Sequence, residues 1–110
     1  MLTIIAQVFG ESVVLLQSPT LATNTVEIAE VSFTFDEEWD GYTKTAMFWG
    51  ADDEEYSVEV TDNKAVIPRE VLAEAGKMKF GVYGTNGNKR LVTMKVPYKI
   101  AEGAYAVTGN

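Results

Sequence analysis

Four residues that follow Phe35 have the types and spacing of a calcium-binding loop. They occupy positions 1, 3, 5 and 6 of that pattern: Asp36, Glu38, Asp40 and Gly41. Position 12 requires a bidentate Glu but is Met47, and position 9 is Lys44, which would place a cation beside the ion. No helix is indicated on either side. The pattern therefore favours a turn between a strand that ends at Phe35 and one that resumes at Lys44.

Other carboxylates could bind a metal ion or act as an acid–base pair. The run Asp52, Asp53, Glu54 and Glu55 could attract a divalent ion, but like charges in a loop are more often simply solvated. The chain contains neither Cys nor His, which excludes thiolate nucleophiles and imidazole acid–base catalysis. No spacing of the carboxylates indicates an acid–base pair. We therefore predict a protein that is not an enzyme, with no catalytic, cofactor-binding or metal-binding residue.

Exposed aromatic side chains could instead bind a carbohydrate. Trp39, Phe48 and Trp49 could form a sugar platform, and a carbohydrate-binding β-sandwich module is one alternative function. At strand positions, however, aromatic side chains more often belong to a core or an interface, because each buries a large apolar area.

The charge balance disfavours nucleic acid as a partner. The chain has 9 basic and 16 acidic residues, a net charge of −7, whereas binding a phosphate backbone depends on clustered Lys and Arg. The segment KAVIPREVLAEAG resembles the strand–turn–helix of swapped-hairpin transition-state regulators, which bind DNA, but their glycine-rich return strand is not matched. The basic residues near it are few: Lys64, Arg69, Lys77 and Lys79. A small DNA-binding regulator is the less favoured alternative.

The elements that position these residues are mostly strands. At 110 residues and 46% hydrophobic composition, we expect a single domain spanning residues 1–110. Period-2 alternation places two sets of residues on single strand faces: Met78, Phe80 and Val82, and then Val92, Met94, Val96 and Tyr98. In TVEIAEVSFTF the phase of Val26 and Ile28 differs from that of the following Val31 and Phe33, which predicts a bulge or a change of sheet.

Turn residues separate the strands. Hairpin turns are predicted at Gly10–Glu11, Asp62–Asn63 and Asn86–Gly87, since these residue types tolerate positive φ. The single helical candidate is PREVLAEAG, which Pro68 can start and Gly76 can end within two turns.

The N-terminal segments LTIIAQVF and SVVLLQ are apolar on both faces. Such strands are either central in the fold or covered by another subunit, and both alternatives stay open. The first segment has no basic residue before its apolar run, and Gln7, Gly10 and Glu11 interrupt that run. We therefore expect neither a signal peptide nor a membrane span, and synthesis in the cytoplasm.

Three blocks of the chain together resemble a known family. They are F-x-F-D-E-E-W-D-G-Y-x-K-T-A-x-F (Phe33 to Phe48), A-V-I-P-R-E-V-L (Ala65 to Leu72) and F-G-V-Y-G (Phe80 to Gly84). In order and spacing they are similar to a small domain common in phages and prophages of Gram-positive bacteria, the N-terminal domain of the baseplate upper protein and related tail or fibre components. The resemblance extends from about residue 26 to about residue 105.

The resemblance implies an all-β fold, an immunoglobulin-like antiparallel β-sandwich with one short helical turn. It implies a virion structural protein that assembles with other phage structural proteins and with copies of itself, and no catalytic residue. Trp39 would fill the sandwich beside the Asp40–Gly41 turn, and Pro68 would start the helical crossover. Further roles are implied for four residues: an inward position for Ala46 and Phe48, and close approach or bending of strands at Gly81 and Gly84. Long members continue into a coiled coil, fibre or receptor-binding region, whereas this sequence stops at Asn110, so we expect a structural subunit rather than a complete receptor-binding fibre.

Overall fold

The computed structural model describes residues 2–23 and 28–104, which form two β-sheets enclosing one hydrophobic core. The strands are β1 (Leu2–Phe9), β2 (Ser12–Gln17), β3 (Leu21–Ala22), β4 (Ala29–Phe35), β5 (Thr43–Trp49), β6 (Glu55–Glu59), β7 (Lys64–Val66), β8 (Gly76–Asn86), β9 (Lys89–Val92) and β10 (Val96–Ala101). A 3-10 helix (Glu37–Trp39) links β4 to β5, and a single α-helical turn, α1 (Arg69–Leu72), links β7 to β8.

The two sheets differ in size and are each of mixed direction. The smaller sheet has the strand order β2-β1-β4-β7, and the larger has the order β3-β10-β8-β5-β6 with β9 paired to β8. Pairs β1–β4 and β10–β3 are parallel, and the other paired strands are antiparallel. The predicted all-β sandwich with a short helical turn is confirmed. The parallel pairs differ from the antiparallel expectation because the chain enters the larger sheet at β3 before it returns beside β1.

The core lies between the facing sheets, where inward side chains alternate with outward ones. Phe33 of the smaller sheet packs edge-on against Phe80 of the larger, with ring centroids 6.5 Å apart. The predicted inward face of β8 is confirmed, since its three apolar residues are buried: Met78, Phe80 and Val82. Ala46 and Phe48 of β5 are also fully buried, as the resemblance implies.

The segment after β9 departs from its predicted pattern. Val96 and Tyr98 are buried, but Val92 and Met94 are exposed, so the prediction of one shared face is wrong for these two. The cause is an interruption after Val92: the Thr93 amide donates to Val82 O (2.9 Å), and the Thr93 hydroxyl accepts from Val82 N (3.0 Å). The strand therefore ends and restarts at Val96. A Cβ on Gly81 would lie 3.0 Å from the Thr93 hydroxyl, consistent with the close approach expected at that glycine.

The phase change before β4 has a simple cause. β4 keeps one register with β1 from Ala29 to Phe35, with Val31 and Phe33 buried, and exposed Ile28 lies just before it. The strand thus starts where the phase changes, and the bulge or sheet change predicted there is not found in β4. Val26 lies outside the described residues.

Most predicted turns are confirmed. Gly10–Glu11 joins β1 to β2, and Asp62 and Asn63 both have positive φ, 54° and 62°. The third turn is shifted by one residue: Asn86 pairs with Lys89, so Gly87 and Asn88 form the loop, and Gly87 supplies the positive φ. Pro68 is the N-cap of α1, one position before the first helical position predicted for it, and Gly76, which was predicted to end the helix, instead begins β8.

Candidate functional site

The N-terminal strands occupy two different environments. β1 lies between β2 and β4, and its inward residues Ile4, Ala6 and Val8 are fully buried in the core. The apolar character of its inward face is thus explained within the chain. β2 pairs with β1 alone among the described strands, so it forms an edge of the smaller sheet.

The side of the smaller sheet that faces away from the core carries both polar and large apolar side chains. Five large apolar side chains are exposed there or at its border, a set that we call the outer face: Phe9, Val14, Leu16, Ile28 and Val66. Strand register places Val14 opposite Gln7 on β1, and Val66 opposite Glu30 on β4. Leu16 is the additional residue where the β1–β2 register shifts, and it is 59% exposed. Large apolar side chains exposed on one side of a sheet, here with polar residues such as Gln7 and Glu30 between them, are a feature of surfaces that contact another macromolecule.

Sequence patterns alone identified only part of the outer face. The apolar segments LTIIAQVF and SVVLLQ contain Phe9, Val14 and Leu16, but Ile28 and Val66 lie outside them. Val66 belongs to it because β7 pairs with β4 across more than thirty positions of sequence. Local periodicity carries no signal for such a pairing, so it could not have been found from the alternation.

The acidic segment that resembles a calcium loop instead holds the β1–β2 hairpin in place. The Asp36 carboxylate accepts from the Gly10 amide (2.9 Å) and from the Glu38 amide (3.2 Å), and caps the 3-10 helix. The Trp39 indole N–H donates to Gly10 O (3.0 Å), and the Met94 amide donates to Glu11 O (2.9 Å). We call these bonds the turn network. The predicted turn between the strands is confirmed, and Gly41 in it has a φ of 81°.

Trp39 fills the end of the sandwich beside this network. Its side chain is fully buried and packs against Phe35 and Tyr42, with ring centroids 5.3 and 6.4 Å away. A Cβ on Gly84 would lie 3.0 Å from Trp39 Cζ3, so the indole needs a glycine at that strand position. The roles that the resemblance implies for Trp39 and Gly84 agree with this packing.

The acidic run at residues 52–55 forms a turn with three separate local contacts. Asp52 accepts from the Glu54 amide (3.0 Å), Asp53 lies 3.9 Å from Lys79 Nζ, and Glu55 accepts from the Trp49 indole (3.1 Å). Within residues 2–23 and 28–104, no three carboxylates are grouped so that they could hold a metal ion.

The three aromatic residues considered for sugar binding do not share a surface. Trp39 and Phe48 are fully buried, whereas Trp49 is partly exposed. Lys95 Nζ lies over the Trp49 ring, 4.2 Å from its centroid, and so covers part of one ring face. The core role that we considered more frequent for such residues is confirmed for Trp39 and Phe48.

The basic residues considered for DNA binding are similarly dispersed. Lys64 lies on β7 in the smaller sheet and Arg69 on α1, whereas Lys77 and Lys79 lie on β8 in the larger sheet. The strand–turn–helix of the DNA-binding resemblance does form, but its basic residues are distributed over different elements.

Tyr98 on β10 bonds to the segment that precedes β3. The Tyr98 hydroxyl donates to the carbonyl of Pro19, and burial raises the pKa of Tyr98 above its usual value of 10.0. This contact fixes the segment between β2 and β3 to β10.

Comparison with protein-family models and with curated proteins gives no match for this chain. In the part of the chain that the structure describes, no helix has the length and apolar character needed to span a bilayer.

Proposed function

We propose that the protein is a non-catalytic structural module of a phage or prophage particle, an attachment component of a baseplate, tail or fibre. The observation that carries the proposal is the outer face, because it exposes five large apolar side chains on a sheet whose other side is a closed core. The three sequence blocks that resemble the baseplate upper protein domain supply the biological setting.

The mechanism of such a module is geometric. The outer face lies on strands whose opposite sides are packed into the core, and the turn network holds the β1–β2 hairpin to the 3-10 helix and to Met94. A contact surface that is rigid before binding loses less conformational entropy when a partner docks. The protein would thereby present neighbouring subunits with a surface of fixed shape.

Particle fractionation tests the proposal directly. We would induce the host culture, separate the particles on a density gradient and blot the fractions for this protein, with a host cytosolic protein of similar size as the control. We expect the signal to co-sediment with tails or virions while the control stays at the top. A signal confined to the top fractions would contradict the proposal, and glycan titration monitored through Trp49 fluorescence would then test the carbohydrate-binding alternative.

A further inference from the structure

The side of the larger sheet that faces away from the core is locally basic. Four of the nine basic residues of the chain lie there, on β8, on β10 and just before β10, a set that we call the lysine patch: Lys77, Lys79, Lys95 and Lys99. Their neighbours Met78, Val96 and Tyr98 are buried, and alternation along the strands therefore turns these lysines outward. The patch is a positive region on a chain whose net charge is −7.

Strand pairing places like charges against one another within the patch. Lys77 and Lys99 are directly opposite across the antiparallel β8–β10 pair, an arrangement that destabilises a sheet. Lys79 lies on the same face two residues further along β8, and its Nζ is 3.9 Å from the exposed Asp53 carboxylate. An exposed ion pair of this length contributes little to stability. Local conflicts of this kind are expected where a surface has a function other than folding.

Apolar groups lie among the lysines. Trp49 on β5 and Pro97 on β10 flank Lys79 in one row across the sheet. The segment before β10 crosses the outward side of Gly81, where a Cβ would lie 3.2 Å from Met94 O. This crossing brings Lys95 beside Trp49, with its Nζ 4.2 Å from the ring centroid. The patch therefore combines positive charge with a partly exposed aromatic ring.

The surroundings of the patch limit the size of an anionic ligand. Exposed charges act over about 8 Å at physiological ionic strength, so a ligand confined to the patch is attracted by the lysines. Acidic residues border the patch at the β5–β6 loop and on β6, namely Asp53, Glu55 and Glu59. A long polyanion such as nucleic acid would extend over these carboxylates and be repelled by them.

The spacing of the lysines matches that of an extended peptide. Lys77 and Lys79 are two residues apart on one strand, so their Cα atoms are about 7 Å apart along it. A peptide in extended conformation repeats its side chains on one face at the same interval. Carboxylates at alternate positions of such a peptide could therefore approach successive lysines.

On this basis we infer that the lysine patch binds a short extended segment of a partner protein in which Asp or Glu alternates with uncharged residues. One carboxylate would lie between the opposed Lys77 and Lys99, and the next would lie near Lys79 and Trp49. The inference rests on the proposed function, because assembly with other proteins makes a protein the expected source of the carboxylates. The outer face lies on the other sheet, so this contact is separate from it.

Titration with a capped peptide in which Glu alternates with Ser tests the inference. We would follow the Trp49 indole N–H by NMR and use the buried Trp39 indole as the internal reference. Exposed ion pairs are individually weak, so we expect a Kd of roughly 0.1–1 mM that rises with added salt. The same peptide with Gln in place of Glu should leave the Trp49 signal unchanged.

K77E is the test variant, and K64E is its matched control. K77E should weaken peptide binding by at least about tenfold yet remain folded, because opposite charges then face one another across β8 and β10. K64E makes the same change in net charge at an exposed strand lysine of the smaller sheet, and it should bind like the unmodified protein. Circular dichroism checks the fold of both variants.

Three results would overturn the inference. They are an unchanged Trp49 signal with the Glu peptide up to millimolar concentration, an equal loss of binding in K64E, and equally tight binding of the Gln peptide. A single-stranded oligonucleotide with the same number of charges serves as a further probe. If it binds as tightly as the Glu peptide, the assignment of a protein segment is wrong.

Particle fractionation separates this inference from the proposed function. Co-sedimentation of unmodified protein that does not bind the Glu peptide would overturn the role of the lysine patch and leave the virion role standing. Binding that behaves as expected, in a protein that never co-sediments with particles, would support the patch and contradict the virion role.

Discussion

Replacement of Trp39 by Phe tests whether the turn network stabilises the fold. The indole N–H is the donor to Gly10 O, and the side chain is fully buried between Phe35, Tyr42 and Gly84. Phe keeps an aromatic ring but removes the donor and several ring atoms. Gly10 O then loses a partner and the end of the sandwich gains a cavity.

The two losses can be estimated separately. A part-buried carbonyl left without its donor costs about 1–3 kcal/mol. Removing part of a fully buried indole adds about 1–2 kcal/mol, since complete truncation of a buried Trp costs roughly 3–5 kcal/mol. We therefore expect Trp39→Phe to lower the free energy of unfolding by about 2–5 kcal/mol, and the Tm by on the order of 10–20 °C.

Trp49→Phe is the matched control for this experiment. It removes the same atoms, but from a partly exposed indole whose N–H reaches an exposed Glu55 carboxylate, so we expect a loss below about 1 kcal/mol. The assay is guanidinium unfolding followed by far-UV circular dichroism, with amide exchange at Gly10 and Glu11 as a local readout. Equal losses for the two variants, or unchanged exchange at the hairpin turn in Trp39→Phe, would refute the assigned role.

Three further outcomes are expected. Gly84→Ala should lower the free energy of unfolding by about 1–3 kcal/mol in chemical denaturation, because its Cβ would lie 3.0 Å from the buried Trp39 ring. Thr93→Val should cost about 1–2 kcal/mol and Thr93→Ser much less in the same assay, because Ser keeps the hydroxyl that accepts from Val82 N. Burial raises the pKa of Tyr98 in the folded protein, so its contribution to stability is complete below pH 10 and is lost as the pH rises through the folded value. Unfolding midpoints measured from neutral pH upward should therefore fall more steeply above pH 10 for the unmodified protein than for Tyr98→Phe, and parallel curves would contradict this.

Local features of the fold could be predicted from the sequence because they depend on neighbouring residues. The alternation of Met78, Phe80 and Val82 was sufficient to assign the buried face of β8. Asp62–Asn63 was sufficient to assign a turn, since both residue types tolerate the positive φ that they adopt. In these cases the physical cause lies within a few residues of its effect.

Features that depend on distant pairing could not be predicted in this way. The parallel alignment of β1 with β4 follows from the route of the chain through the other sheet, and alternation specifies a face but no strand direction. The alternation predicted that the strand containing Val92 continues to Tyr98. The hydrogen bonds between Thr93 and β8 interrupt it after Val92 instead. The sequence likewise indicated only part of the outer face. Val66 belongs to it because β7 pairs with β4, which is distant in sequence.

The acidic segment after β4 shows why the residue types of a site do not define its chemistry. The same Asp carboxylate can ligate Ca²⁺ at the first position of a calcium loop or accept hydrogen bonds at the start of a 3-10 helix. In either role its two oxygens need several partners. Asp36 satisfies them with the amides of Gly10 and Glu38, of which the first belongs to another strand pair. That long-range bond gives the segment a structural consequence. Because Asp36 and Trp39 both bond to Gly10, the acidic segment holds the turn from which the edge strand β2 starts, which is a scaffolding role and not the metal binding that its residue types suggest.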